Sequence, residues 1–179
     1  MTGGRLIAVV GPSGVGKDSI MAALASPQMP LVRRAITRAP GLGGEDYDAM
    51  TPADFAKATE AGAFCLHWSA HGLQYGIPAQ VRRDVEAGAD RIVNLSRGAL
   101  GEAAKIFARL VVLHITASPE TLAQRLKHRG REDTGDIAKR LASAQKPLPA
   151  GLNVIEIVND GPLEAAVAKA RAALQPDRV

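Results

Sequence analysis

Lys17 closes the run Gly11-Pro12-Ser13-Gly14-Val15-Gly16-Lys17, and glycine, four residues, glycine, lysine is the spacing that holds the phosphates of a nucleoside triphosphate. Glycines let successive backbone N–H groups and the start of a helix converge on phosphate oxygens, while the lysine brings mobile positive charge to the β and γ phosphates. The next residue departs from the usual serine or threonine, because Asp18 stands where a hydroxyl would meet Mg²⁺. Either Asp18 or its neighbour Ser19 then serves the metal, or Asp18 is a first-turn acid favoured by the helix dipole.

Positive charge is also clustered elsewhere: Arg33 and Arg34 with Arg38, then Arg125, Arg129 and Arg131, with Arg140 beyond them. Phosphoryl transfer needs two polyanions held in line and positive groups placed where charge grows on the equatorial oxygens. The planar guanidinium fork suits both tasks. The competing reading is solvated surface charge, most plainly for Arg129 and Arg131 beside Glu132 and Asp133. The single cysteine, Cys65, lies between Phe64 and Leu66 and reads as a buried structural thiol in a reducing, cytoplasmic setting. His67, His114 and Trp68 read as structural.

The elements that position these groups follow from the pattern. An apolar, partly β-branched run at 6–10 reads as a buried strand leading into the glycine loop, and helical composition follows Lys17. Residues 31–36 read as a second strand of the main sheet, 37–46 as a polar, glycine-rich loop, and Thr51-Pro52-Ala53-Asp54 as a capped helix start running to Gly62. Alternation over 63–70 puts Phe64, Leu66 and Trp68 on one strand face; 71–78 reads as a turn-rich loop and 79–87 as a short helix. Further strands are expected at 91–95, 110–116 and 153–158, with helices from Ser118-Pro119, over 136–146, and from Pro162 to about Leu174. Strands alternating with helices imply an α/β domain with a mostly parallel sheet of about five strands flanked by helices. The expected organisation is one domain: a core of 1–36 and 81–179, an acceptor-binding insertion over about 37–80, and a lid over about 129–136.

Composition narrows the partners. The net charge of +4 could suggest nucleic acid, but the arginines fall in short clusters and aromatic residues are 3% of the chain, which offers no stacking platform. No run of about 18 apolar residues is present for a membrane span, and the first strand begins so soon after Gly3-Gly4 that a signal peptide is not expected. Nothing in the sequence fixes the oligomeric state, a homodimer included.

In order along the chain, the glycine loop, Ile36-Thr37-Arg38, Gly44-Glu45, Tyr75-Gly76-Ile77-Pro78, Arg125-Leu126 with the arginines after it, Ile137-Ala138-Lys139-Arg140-Leu141 and Asn159-Asp160 resemble the guanylate kinase-like P-loop kinases. The resemblance covers nearly the whole chain and implies a nucleoside-monophosphate-kinase-like fold with ATP and Mg²⁺ as cofactors. It implies that Gly11 to Lys17, with Asp18 and Ser19, bind the ATP phosphates and metal. It implies further that Asn159 contacts adenine, that Lys17, Arg125, Arg129 and Arg131 act on the transferring group, and that Arg34, Arg38, Glu45, His71, Tyr75, Ser96, Arg97 and Arg140 serve the acceptor. The sequence departs from guanylate kinase itself at Lys17-Asp18-Ser19, at the compressed Glu45-Asp46-Tyr47, and at Asn94-Leu95-Ser96-Arg97, where an acidic residue is expected. Those departures resemble a branch serving bacterial phosphonate breakdown. They imply that ATP phosphorylates the 1-phosphate of ribose 1,5-bisphosphate, giving 5-phosphoribosyl diphosphate and ADP. The alternatives are guanylate kinase proper, a sugar kinase such as gluconate kinase, or a binding module that has lost catalysis; the intact glycine loop speaks against the last.

Overall fold

The computed structural model describes residues 3–12, 14–42, 45–129, 138–139 and 147–175, the side chain of Arg129 excepted. In chain order the elements are β1 (Leu6–Val10), α1 (Lys17–Leu24), β2 (Arg34–Ile36), β3 (Tyr47–Ala49), α2 (Pro52–Glu60), β4 (Phe64–Ala70), β5 (Leu73–Pro78) and α3 (Ala79–Glu86). They continue with β6 (Arg91–Asn94), a 3₁₀ turn (Arg97–Ala99), α4 (Leu100–Ile106), β7 (Leu110–Thr116), α5 (Pro119–Arg129), β8 (Asn153–Val158) and α6 (Leu163–Leu174).

Four parallel strands in the order β6-β1-β7-β8 make the main sheet. β1 has a neighbour on each side and helices over each face, which is why all five of its residues are buried and apolar. One face carries Ile7, Val9, Leu113 and Ile115 against Ile20 and Leu24 of α1 and Val167 and Ala170 of α6. The other carries Leu6, Ala8, Val10 and Val112 against Val81 and Val85 of α3 and Leu100 and Ala103 of α4.

A second four-stranded sheet, β3-β2-β5-β4, holds the insertion. Its β4–β5 hairpin turns on His71 and Gly72, both at positive φ (53° and 73°), the backbone that a two-residue hairpin with right-handed strand twist needs. α2 begins as its sequence dictates, with Thr51 Oγ1 accepting from the Asp54 N–H and Pro52 in the first turn.

Four expectations are corrected. The main sheet has four strands among the described residues, not five, because 31–36 divides between the sheets. Leu31 makes a single bridge to Ile92 beside β6, and Arg34–Ile36 then joins the second sheet. Residues 71–78 are not a loop. Gly76 and Pro78 suggest turns, yet Gly76 is there because the Phe64 ring lies 2.8 Å from where its Cβ would stand, and Pro78 occupies the strand's last position. Phe64 does not share a face with Leu66 and Trp68, because a register shift between Phe64 and Leu66 turns its ring outward onto Phe55 of α2. Finally, β3 and α4 are present where no element was expected. The expected lid over 129–136 and helix over 136–146 lie largely outside the described residues, as does Gly44.

Candidate active site

At the carboxyl end of β1 the chain enters the glycine loop pressed against β7: a Cβ on Gly11 would lie 2.4 Å from the Ile115 carbonyl oxygen. Gly14 and Gly16 take positive φ (83° and 94°), a conformation that L side chains rarely adopt, and Gly16 is the N-cap of α1. Buried Val15 fastens the loop between them. Lys17 Nζ donates to the Gly11 carbonyl at 2.6 Å, curling back over the loop. Burial lowers the Lys17 pKa to about 8; Asp18 and Glu45 oppose the shift, while Arg34 and Arg97 add to it. The loop lysine therefore shares one electrostatic field with the insertion and with the turn after β6.

Two side chains brace the loop from behind. Asn159, buried at the end of β8, donates Nδ2 to the Val15 carbonyl at 2.8 Å. Arg125 on α5 donates to the Asn159 carbonyl at 2.8 Å and more weakly to the Val15 and Gly14 carbonyls at 3.3 and 3.5 Å. Asp160 accepts from the Ser118 N–H at 2.7 Å, tying the same turn to the start of α5. Asn159 Nδ2 is thus engaged with the loop backbone, while its buried Oδ1 has no hydrogen-bond partner among the described residues. Arg125, expected to act on the transferring group, donates here to carbonyls of the loop and of Asn159 that need partners.

Facing the loop, the inner side of the second sheet presents charge and aromatic surface. Arg34 is 5% exposed, donates Nε to Glu45 at 2.8 Å and Nη2 to the other Glu45 oxygen, and reaches the Asn94 carbonyl at 3.2 Å. Its guanidinium lies over the Tyr75 ring. Arg34 and Glu45, both expected to serve the acceptor, form a buried ion pair with one another. Arg38 differs: its guanidinium stacks 4.4 Å over the Tyr47 ring and its buried Nε has no hydrogen-bond partner among the described residues. Tyr47 is in turn fixed by donating its hydroxyl to the Ala39 carbonyl. Arg33 points outward to Asp48 and Asp46.

Ser96 Oγ accepts from Trp68 Nε1 at 2.9 Å, and Arg97 begins the 3₁₀ turn within electrostatic reach of Lys17 and His114. Burial holds His114 below the usual imidazole range, aided by Arg97 and opposed by Glu156. His71 sits exposed at the hairpin tip, where the turn determines its backbone. Asp18 and Ser19 are exposed on the first turn of α1. Ser13, Arg131, Arg140 and the Arg129 side chain lie outside the described residues.

The cradle suits the triphosphate and metal that the sequence implies. Side chains on Gly11, Gly14 and Gly16 would meet backbone or neighbouring side chains or require a strained φ, so backbone N–H groups are left lining the loop. Among the described residues no three His, Cys, Asp or Glu side chains gather as a metal cage. Asp18 and Ser19 supply hard oxygens of the kind Mg²⁺ takes when phosphates and water complete its shell.

Trp68, Tyr47 and the Asn94 carbonyl are the participants that sequence reasoning missed. A signal existed for Trp68: counting outward from a two-residue turn at His71-Gly72 pairs 70 with 73, 69 with 74 and 68 with 75, so Trp68 must sit across from Tyr75.

A family model described as guanylate kinase matches residues 3–176. A protein of Ruegeria sp. named ribose 1,5-bisphosphate phosphokinase is 49% identical over 178 residues, 98% of this chain and 94% of that one. One of the same name from Agrobacterium fabrum is 43% identical over 166 residues, 90% and 91% of the two chains. The crystal structure of guanylate kinase from Anaplasma phagocytophilum superposes with a TM-score of 0.70 at 18% identity, covering 97% of this chain and 85% of that one, a likeness of fold. No helix among the described residues is long and apolar enough to cross a membrane.

Proposed function

Because this chain belongs to the guanylate kinase family, with relatives named ribose 1,5-bisphosphate phosphokinase along nearly its whole length, we propose that it transfers the γ-phosphoryl group of ATP to the 1-phosphate of ribose 1,5-bisphosphate. The observation that carries this reading beyond generic kinase activity is the identity of 49% across 98% of the chain to a protein so named. Two features of the site support it. Arg38 stacks on Tyr47 with its buried Nε unpartnered among the described residues, which leaves a donor for a small polyanion. At the end of β6, Arg34 donates to the Asn94 carbonyl and Trp68 to Ser96 Oγ, which engages two acceptors that could otherwise meet a base.

In this reading an oxygen of the acceptor's 1-phosphate forms a bond to the γ-phosphorus as the bond from that phosphorus to the β,γ-bridging oxygen breaks, leaving ADP and a ribosyl 1-diphosphate. The acceptor oxygen is already ionised near neutral pH, so no side chain must remove a proton. The glycine loop holds the donor phosphates, and Lys17 exchanges its Gly11 carbonyl for phosphate oxygen. Arg38 holds the acceptor. Asp18 or Ser19 would hold Mg²⁺, which would supply positive charge against the triphosphate. The insertion is the acceptor lobe.

ADP release with ribose 1,5-bisphosphate, GMP and gluconate as acceptors tests the proposal. Turnover with the ribose bisphosphate and a response at least a hundredfold weaker with the other two is expected. Turnover with GMP alone overturns it.

A further inference from the structure

On the inner face of the second sheet, three flat groups from three adjacent strands lie in series. The Arg34 guanidinium from β2 is 4.8 Å from the Tyr75 ring centroid on β5. Tyr75 and Trp68 of β4 are cross-strand partners, their rings 5.4 Å apart and within 8° of parallel. Both ends of the series are fastened across the gap to the carboxyl end of β6. Arg34 donates to the Asn94 carbonyl at 3.2 Å and Trp68 Nε1 donates to Ser96 Oγ at 2.9 Å. Glu45 holds Arg34 from the side, and Trp68 packs against apolar groups of both sheets.

We propose that Trp68 is a specificity-determining residue that excludes nucleobases from the acceptor site. The series bridges the inner face of the insertion and the end of β6, so a planar base stacking on Tyr75 from the Trp68 side has to displace a ring already stacked and hydrogen-bonded there. An acceptor carrying ribose and phosphates but no base needs none of that space. Truncating Trp68 leaves a flat slot over Tyr75 with the Ser96 hydroxyl at its edge. A purine fits that slot in stacking surface and hydrogen bonding alike, as aromatic ligands occupy cavities left by deleted core side chains. The proposal deepens the acceptor assignment above and rests on it for which acceptor is admitted; the exclusion of a base is measured separately.

Trp68→Ala and Trp68→Phe, each checked for folding by circular dichroism, are titrated with GMP by calorimetry in the absence of ATP. Trp68→Ala binds GMP at least tenfold more tightly than the unmodified protein, while Trp68→Phe, which keeps a stacked ring, stays within threefold of it. The ratio of kcat/KM for GMP over ribose 1,5-bisphosphate rises at least tenfold in Trp68→Ala. A folded Trp68→Ala protein with unchanged GMP affinity overturns the proposal. Should that variant fail to fold, the unmodified protein decides, since Trp68 is its one tryptophan. Ribose 1,5-bisphosphate is expected to change Trp68 fluorescence saturably and GMP at millimolar concentration to leave it unchanged; a saturable response to GMP overturns the proposal. Failure of the acceptor assignment shows instead as absent turnover of ribose 1,5-bisphosphate, which leaves the GMP comparison intact.

Discussion

Lys17 is held with its pKa near 8 because burial disfavours its charge more than Asp18 and Glu45 restore it. Bound phosphates reverse that balance and raise the pKa. Above pH 8, ATP binding therefore takes up a proton, and ATP affinity falls as pH rises through that value. Calorimetry at pH 8.5 in buffers of different ionisation enthalpy is expected to show uptake of more than half a proton per ATP; binding without proton uptake contradicts the assignment of Lys17. Arg34 and Glu45 make the second residue-scale case. Their side chains are 6% and 10% exposed, so removing one charge strands the other away from water. Glu45→Gln is expected to cost about 3 kcal/mol of stability in urea unfolding. A loss below about 0.5 kcal/mol would mean that the pair behaves as an exposed one.

At the scale of elements, the glycine loop is shaped by what lies behind it. β8 delivers Asn159 and α5 delivers Arg125 to the carbonyls of Gly14 and Val15, groups that the loop's own backbone leaves without helix partners. Asn159→Ala removes a buried donor and is expected to weaken ATP binding about tenfold, with stability lowered by about 1–3 kcal/mol and the acceptor's KM within twofold. An effect confined to the acceptor would remove Asn159 from the donor side. Much of this scale was legible in the residues themselves. The strand, glycine loop and helix start at 6–24 were readable because each has its own local chemistry, and Thr51-Pro52 announces α2 for the same reason. The brace was not readable, because the role of Asn159 depends on Val15, 144 positions away. Arg34 and Arg38 look alike in sequence; the structure separates them by giving Glu45 to Arg34 and, among the described residues, the face of Tyr47 to Arg38.

At the scale of the whole molecule, two sheets meet at the carboxyl end of β6. The main sheet carries the glycine loop, and the insertion closes over Asn94 and Ser96 through Arg34 and Trp68. Sequence pattern began the insertion at about 37, past β2 of the second sheet, and misjudged its strands, since a strand holding Gly76 under the Phe64 ring and ending at Pro78 has the composition of a turn. What this arrangement does is decided by where the new phosphate lands. Phosphorus NMR of a reaction containing ATP and ribose 1,5-bisphosphate tests that most directly. The expected spectrum keeps the 5-phosphate monoester and replaces the anomeric monoester by two coupled diphosphate doublets as ADP accumulates. An unchanged acceptor spectrum, or a diphosphate formed at the 5-position, would contradict the account.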